Sequence, residues 1–425
     1  MFDDCSHRGD HITKTKSGTA EHSGQADSEG FYSRLDLVMK KQRASVVHTR
    51  METEDASPRH KRIRVLHLID SLELGGAQTA LLAWLSSHDR NRFEVHLASM
   101  HGTRNSLYYR RAQQLGIPVI LLSPGRFVPI YFFLLPLLIL KGRYDVAHCH
   151  LFASNCFGKP LARFLGVPVV ISHDQCIDSF RMNSALVWFI DRLTNRCADQ
   201  IFAVSASVKD YLIAFESLNP AKVQVIPNGL ADGAKSQRTR DFGKVIGGAG
   251  RFVPQKNFSR FLRIARALME IDDSYQFVIA GSGPLEAALK GEAAELGVPV
   301  RWLGVQPSLD PFFEQIDLFL LTSDFEGLPM ALLEALQHSV PVAAMAVDGI
   351  REEFSDEILL LNPAGDDREL GCSIHSAVQN QAALAAQIQR GKEILSRRFS
   401  ARNQIREIEQ VYLDVLREKR ENCPR

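Results

Sequence analysis

The stretch DLFLLTSDFEGLPMALLEAL, residues 317–336, joins an apolar run of strand length to a segment with helical spacing. A short polar loop between them carries Glu326 and Gly327, and Glu334 follows about one and a half turns inside the predicted helix. A strand that leads directly into a helix is part of a β–α–β unit, the repeating element of parallel sheets. This stretch therefore predicts an α/β fold with functional side chains at the carboxyl end of a strand.

The same alternation recurs in two series along the chain. The first series contains IRVLHLI, FEVHLAS, IPVILLS, YDVAHCH, VPVVISH, QIFAVS and VQVIPN, and the second contains VIGGAGR, YQFVIAG, VPVRWLG, DLFLLTS, PVAAMAV and EILLLN. The polar stretch 231–244 separates them and is interpreted as a linker. We predict two tandem Rossmann-like, doubly wound domains that face a cleft, over 61–230 and 241–400, preceded by a disordered segment over 1–60.

Composition limits the possible functions. The 425 residues are 45% hydrophobic with a net charge of +1, which gives no overall bias toward nucleic acid. The charge is uneven, however, at +7 over 61–230 and −5 over 231–425. Seven cysteines without a CxxC pair favour a reducing compartment, with no disulfide framework and no structural zinc.

Two short motifs lie at predicted strand ends. Gly75 and Gly76 precede a helix, where the backbone can approach an anionic ligand closely. Arg251 and Lys256 flank another loop that enters a helix, and two such cations can hold a diphosphate. Each motif alone is more often an ordinary strand-to-helix turn or a solvated basic loop than a ligand site. Neither a P-loop nor a GxGxxG motif is present, which disfavours a dinucleotide-dependent dehydrogenase.

Taken together, VIPNGL, GRFVPQKN, VIAGSGPLEAAL and FLLTSDFEGLPMALLEAL resemble the family 4 glycosyltransferases of the GT-B fold. The resemblance covers roughly residues 63 to 370 and is most specific where two glutamates stand eight positions apart. It implies retaining sugar transfer from a nucleotide-sugar without a metal or another cofactor. It also implies an N-terminal acceptor domain, a C-terminal donor domain, and a last helix over 401–425 that returns to the first domain.

The resemblance assigns roles to individual residues. It implies that Glu326 contacts hydroxyls of the donor sugar and that Glu334 holds the ribose hydroxyls, since a carboxylate accepts from two adjacent hydroxyls. Arg251 and Lys256 would stabilise the departing diphosphate. The implied catalytic residues are His173, Arg251, Lys256 and Glu326, and the implied donor-binding residues are Gly75, Gly76, Arg251, Lys256, Glu326, Gly327, Leu328, Met330 and Glu334.

Two histidines in HCH, His148 and His150, end the fourth strand of the first series and project to one face. No third metal ligand is apparent from the sequence, so we expect structural or acceptor-side roles and no metal, with His150 facing the cleft. His173, at the end of the next strand, is expected to face the cleft beside the donor sugar. The chain departs from the family pattern at Gln78, where an acid is usual, and in the segment DGIRE around Asp348.

The sequence leaves the substrates open. We expect a UDP-sugar donor and a glycan or lipid-linked acceptor, with no nucleic acid partner. The alternatives are a GDP-mannose-dependent mannosyltransferase, a GT-B sugar-nucleotide epimerase, and a non-enzymatic protein that binds a nucleotide-sugar.

A last expectation concerns FVPIYFFLLPLLIL, residues 127–140, which is uncharged and too short to span a bilayer. Pro129 and Pro136 are expected to interrupt any single straight helix. The segment is either a buried crossover helix or a surface that docks on anionic lipid. We expect docking, and hence a cytoplasmic protein at the inner face of the cytoplasmic membrane.

Overall fold

The computed structural model describes residues 62–73, 75–123, 130–175, 184–233, 235 and 242–422. The segment 1–60, expected to be disordered, lies outside the described residues, as does much of the predicted linker.

Two parallel sheets organise the described chain, and each predicted β-rich run contains a strand. The first sheet has the order β3-β2-β1-β4-β5-β6-β7. Its strands are β1 (Ile63–Ser71), β2 (Phe93–His101), β3 (Val119–Leu121), β4 (Val146–His150), β5 (Val169–Asp174), β6 (Gln200–Ala203) and β7 (Val223–Val225).

The second sheet has the order β10-β9-β8-β11-β12-β13. Its strands are β8 (Val245–Ala249), β9 (Gln276–Ala280), β10 (Val300–Gly304), β11 (Leu318–Leu321), β12 (Val342–Met345) and β13 (Leu359–Leu361). In both sheets the strand order reverses beside the first strand of the series, which is the doubly wound topology. The fold is therefore the predicted pair of Rossmann-like domains.

Helices connect the strands and cover the sheets. In the first domain they are α1 (Gly76–Ser86), α2 (Leu107–Gln114), α3 (Tyr131–Gly142), α4 (Lys159–Phe164, after a π-helical turn Ser154–Gly158), α5 (Ala185–Asn195) and α6 (Ala206–Phe215). In the second they are α7 (Phe258–Ile271), α8 (Glu286–Glu295), α9 (Asp310–Gln315), α10 (Met330–Gln337), α11 (Asp348–Arg351), α12 (Asp367–Gln379) and α13 (Gln381–Arg398).

A final helix, α14 (Ala401–Glu421), packs on the first domain although it follows the second in sequence. The Trp84 indole of α1 donates to Gln404 Oε1 at 3.0 Å, and the Tyr412 hydroxyl lies 2.6 Å from His148 Nδ1. Tyr412, Ile405 and Ile408 are buried in the same apolar core as β1 and α1. Burial of this helix face therefore attaches α14 to the first domain.

The segment expected to dock on lipid divides between the core and the surface. Helix α3 continues through Pro136, contrary to the expectation that this proline interrupts the helix. Leu135, Leu138 and Ile139 are buried against the first sheet, whereas other side chains of α3 are exposed. Among the described residues, no helix is both long enough and apolar enough to cross a bilayer.

Candidate active site

The loop between β11 and α10 holds Glu326 in a defined position. Glu326 Oε1 accepts from Lys256 Nζ at 2.5 Å and from Ser323 Oγ at 2.6 Å, and only 6% of the Glu326 side chain is exposed. A carboxylate with so little water around it requires such charge-assisted partners. Lys256 and Glu326, predicted from separate motifs, therefore form one ion pair at the strand ends.

The Lys256 loop is attached to the Glu326 loop by several further hydrogen bonds. Thr322 Oγ1 donates to the carbonyl oxygens of Lys256 and Asn257 at 3.2 and 3.0 Å, and the Asp324 amide donates to the Gln255 carbonyl at 2.9 Å. These bonds fix both loops before any ligand binds. Such preorganisation is what stabilisation of a developing charge requires.

Arg251 lies on the same edge but remains exposed, and it makes no ion pair with the described residues. The neighbouring loop after β9 approaches very closely. A Cβ on Gly281, which has φ +135°, would lie 1.9 Å from the Gly250 carbonyl oxygen. Only glycine allows this contact, which brings the GSGP motif against the Arg251 loop.

The two domains meet at Gly327. A Cβ there would lie 2.5 Å from the backbone oxygen of Gln175, which follows β5 of the first domain. Asn228, from the VIPNGL motif, donates to Gln175 Oε1 at 2.9 Å and to the Leu328 carbonyl at 3.4 Å. The carboxyl edges of the two sheets thus face each other, as expected for a ligand site at this position.

Other predicted donor-binding residues surround this junction. A Cβ on Gly76 would lie 3.2 Å from Met330 Cγ at the start of α10. Both Leu328 and Met330 are buried. The side chain of Gln78 folds back against Gly75, and its amide donates to the Ser71 carbonyl at 2.9 Å. The unusual glutamine therefore stabilises its own turn.

Glu334 lies within α10, facing the first domain. Desolvation by the surrounding protein raises the pKa of Glu334 to about 7, and the nearby carboxylate of Asp310 adds to this, whereas Lys235 and Arg111 oppose it. Arg111 comes from α2 of the first domain and donates to the Pro307 carbonyl at 3.3 Å. A carboxylate that is poorly solvated without ligand is well suited to accept hydrogen bonds from ligand hydroxyls.

His173 is fully buried rather than open to the cleft. Its ring stacks on Trp84 with centroids 4.9 Å apart, and burial lowers the pKa of His173 to about 4. At neutral pH the imidazole is therefore uncharged. It can take part in hydrogen bonding, but it does not bring a positive charge to the site.

His150 also differs from the expectation that it faces the cleft. It is buried, and its Nε2 lies 2.9 Å from Nδ1 of His67. Ligand atoms of His67, His148 and His150 lie within 4.8 Å of one another, and desolvation lowers the pKa of all three histidines. They pack between the first sheet and the side chains of Trp84 and Tyr412.

The sequence alone did not place His67 or Trp84 in this interior cluster. His67 pairs with His148 across β1 and β4, and His150 pairs with His173 across β4 and β5. Aligning the predicted strands would have placed all four rings on one face, because side chains alternate along a strand. No sequence pattern indicated that Trp84 packs on these histidines, since an aromatic residue in a helix more often packs in the apolar core.

Comparison with known proteins agrees with this geometry. The family model for glycosyltransferase family 4 matches residues 74–232, and that for glycosyl transferases group 1 matches residues 234–394. The chain belongs to glycosyltransferase family 4. The boundary between the two matches falls in the predicted linker, between the two sheets.

Individual relatives of family 4 type are distant. A UDP-Gal:alpha-D-GlcNAc-diphosphoundecaprenol alpha-1,3-galactosyltransferase of Escherichia coli is 29% identical over 251 residues, covering 53% of this chain and 65% of that protein. An undecaprenol-PP-glycan alpha-1,4-N-acetyl-D-galactosaminyltransferase of Campylobacter jejuni is 24% identical, covering 69% and 82%. The HepE structure from Anabaena, crystallised with UDP and glucose, superposes with a TM-score of 0.71 at 19% identity, over 83% of this chain and 100% of that one. The last comparison supports the GT-B fold.

Proposed function

We propose that this glycosyltransferase transfers a hexose with retention from a UDP-sugar to a lipid-linked glycan, in polysaccharide or glycolipid synthesis. The observation that carries the proposal is the Lys256–Glu326 pair at the junction of two sheet edges. The E. coli relative is named for a UDP-galactose donor and a diphosphoundecaprenol acceptor, and the C. jejuni relative for an undecaprenol-linked acceptor. The Anabaena fold neighbour was crystallised with UDP.

In this proposal the donor diphosphate lies at Arg251 and Lys256. When the glycosidic bond breaks, negative charge grows on the departing diphosphate, and these cations stabilise it more than they stabilise the bound donor. Arg251 is exposed and can turn toward an incoming phosphate, whereas Lys256 is already held by Glu326. Two cations in this position make a bound metal unnecessary for the step.

The two glutamates are proposed to hold the rest of the donor. Glu326 keeps lone pairs beyond those used by Lys256 and Ser323, and these would accept from sugar hydroxyls. Glu334 would accept from the ribose. Gly327 allows this loop to approach the first domain closely, because any side chain there would meet the Gln175 backbone oxygen. His173 is proposed to support the sugar site from the interior of the first domain, as a neutral imidazole stacked on Trp84.

The acceptor hydroxyl is proposed to attack from the face that the diphosphate leaves. Its proton passes to the departing phosphate oxygen. Because attack comes from the face that the diphosphate leaves, the new bond keeps the anomeric configuration, and no enzymic nucleophile is used. Glu326 positions the sugar in this scheme. A lipid-linked acceptor places the reaction at the inner face of the cytoplasmic membrane.

One alternative donor has a specific observation in its favour. A lipopolysaccharide core biosynthesis mannosyltransferase, LpsB of Rhizobium meliloti, is 27% identical over 184 residues. A GDP-mannose donor would use the same diphosphate and ribose contacts, and would differ at the base.

Thermal shift with UDP, GDP and ADP tests the proposed donor. A nucleotide at about 100 times its dissociation constant stabilises the folded protein by roughly 2.7 kcal/mol. UDP is expected to raise the melting temperature more than GDP or ADP, and EDTA is expected to leave both this shift and the transfer rate unchanged. A larger shift with GDP would replace the UDP assignment, and no shift with any nucleotide would contradict the donor site.

A further inference from the structure

Helix α5 has a polar inner face and an apolar outer face, the reverse of an ordinary surface helix. Its buried residues are Asp191, Thr194 and Asn195. Its exposed side chains include Leu186, which is 67% exposed, together with Phe189, Ile190 and Leu193. Their spacing of three and four residues places them on one side of the helix. Water is a poor solvent for such a face.

Buried polar contacts hold α5 in this orientation. Lys159 at the start of α4 is fully buried and donates to Asn195 Oδ1, and Asp191 Oδ1 lies 3.9 Å from the same ammonium group. Asn195 in turn donates to the buried carboxylate of Glu216. Turning α5 over would strip these charged groups of their partners, which costs several kcal/mol for a buried pair. The apolar face is therefore a built feature of the fold.

The exposed apolar surface continues onto the neighbouring helices. The Phe132 ring of α3 packs edge-on against Phe157 of the π-helical turn, with centroids 5.1 Å apart. Phe164, seven residues after Phe157, is 87% exposed, and Phe133 is 77% exposed. We name the whole surface the apolar face; its residues are Phe132, Phe133, Leu140, Phe157, Phe164, Leu186, Phe189, Ile190 and Leu193.

The exposed charged side chains at the ends of the helices that carry this surface are basic, and the partly exposed Asp199 pairs with Arg163 of α4. Within the described helices α3, α4 and α5, the one carboxylate is Asp191, and it is buried. Exposed cations stand at the helix ends, at Lys141, Arg143 and Arg196. A basic rim around an apolar centre matches an anionic lipid surface, where headgroups meet the cations and acyl chains meet the apolar side chains.

We propose that the apolar face is a docking surface for the anionic leaflet of a membrane, with α5 lying in the plane of the interface. A second copy of this chain fits less well, because a symmetric pairing would bring the two basic rims together. The proposal extends the sequence prediction for 127–140 to α4 and α5. The functional reason for docking rests on the proposed function, since docking would bring the site to a lipid-linked acceptor. The test of docking does not depend on sugar transfer.

Two isoleucines provide a matched test. Ile190 on α5 is 39% exposed, and Ile271 at the end of α7 in the other domain is 38% exposed. The variants Ile190→Asp and Ile271→Asp make the same chemical change at the same exposure. Both are compared with the full-length protein by co-sedimentation with vesicles of phosphatidylcholine containing phosphatidylglycerol. Circular dichroism and thermal melting establish that each variant is folded.

Wild-type protein and Ile271→Asp are expected to bind these vesicles, less in high salt and less without phosphatidylglycerol. Ile190→Asp is expected to lower the partition coefficient by more than about tenfold, because it places a charge at a position where the proposal inserts an isoleucine side chain into the membrane interface. No wild-type binding at low salt, or equal binding of the two variants, overturns the proposal. A wild-type dimer in sedimentation velocity that Ile190→Asp dissociates overturns it in favour of self-association.

Nucleotide thermal shift on the same samples separates this proposal from the proposed function. Ile190→Asp is expected to keep the nucleotide shift of the wild type. Vesicle binding without any nucleotide shift would leave the docking surface standing and contradict the donor site, and the reverse pattern would contradict docking alone.

Discussion

Replacing Glu334 by glutamine tests the most perturbed carboxylate of the candidate site. Burial raises the pKa of Glu334 from 4.5 to about 7, so the folded protein holds this proton more tightly than the unfolded chain does. The free energy of unfolding therefore falls as pH rises from about 4.5 to about 7, and the full penalty applies above pH 7. Glutamine has no charge to desolvate and should remove that penalty.

The size of the effect follows from the shift. A change in pKa from 4.5 to about 7, in which the opposing effects of Lys235 and Arg111 are already included, corresponds to about 3 kcal/mol at most, and remaining contact with solvent reduces it. We expect Glu334→Gln to be more stable than wild type by about 1–3 kcal/mol at pH 8 and equally stable at pH 4. UDP should bind the variant more weakly at pH 8, because the amide offers the ribose one oxygen instead of two.

Thermal melting at pH 4 and pH 8, with and without UDP, measures both effects. The exposed Glu418 on α14, changed to glutamine, is the control and should show no such pH-dependent gain. Because burial also raises the pKa of Glu409 to about 7, the difference between variant and wild type isolates Glu334, whereas the wild-type profile alone does not. Equal stability of wild type and Glu334→Gln at pH 8 would refute the desolvation argument.

Three further predictions concern the Gly327 close approach, a buried hydrogen bond and the N-terminal segment. Gly327→Ala should lower both donor binding and thermal stability, since its Cβ would lie 2.5 Å from the Gln175 carbonyl; unchanged UDP affinity, measured by calorimetry, would contradict the close approach of the domains. Tyr412→Phe should destabilise by about 1–3 kcal/mol in urea unfolding, because it leaves buried His148 Nδ1 without its partner; Tyr144→Phe, whose hydroxyl meets the less buried His96, should cost less. Deleting residues 1–59 should leave the melting temperature and UDP affinity unchanged, and an insoluble or inactive product would show that this segment contributes to the fold.

Local patterns were enough to predict the strands and the strand-end residues. Each β-rich run is an apolar stretch between turn signals, and a strand forms within each of them. Lys256 and Glu326 could be expected at one edge because parallel strands in one sheet end on the same side. Their direct ion pair also depends on the strand order, with β8 beside β11, which local sequence patterns do not determine.

Features that depend on packing between distant segments were not predictable in the same way. Spacing in α5 indicates two faces, but it does not say which face is inward, and here the decisive partner is Lys159, from another helix. The contact of Gly327 with Gln175 depends on how the two domains meet. The burial of His150 and His173 similarly depends on Trp84 of α1 and on α14, which returns from the far end of the chain.

The most direct test of the proposed chemistry is sugar transfer or donor hydrolysis by the double variant Arg251→Ala/Lys256→Ala. Release of nucleoside diphosphate from a panel of UDP-sugars and GDP-mannose is measured for wild type and for the folded variant. Loss of one preorganised donor to a developing charge costs about 2.7–4 kcal/mol of transition-state stabilisation, so turnover should fall by at least about a hundredfold. A folded double variant that releases nucleoside diphosphate at the wild-type rate would contradict the placement of the diphosphate at Arg251 and Lys256.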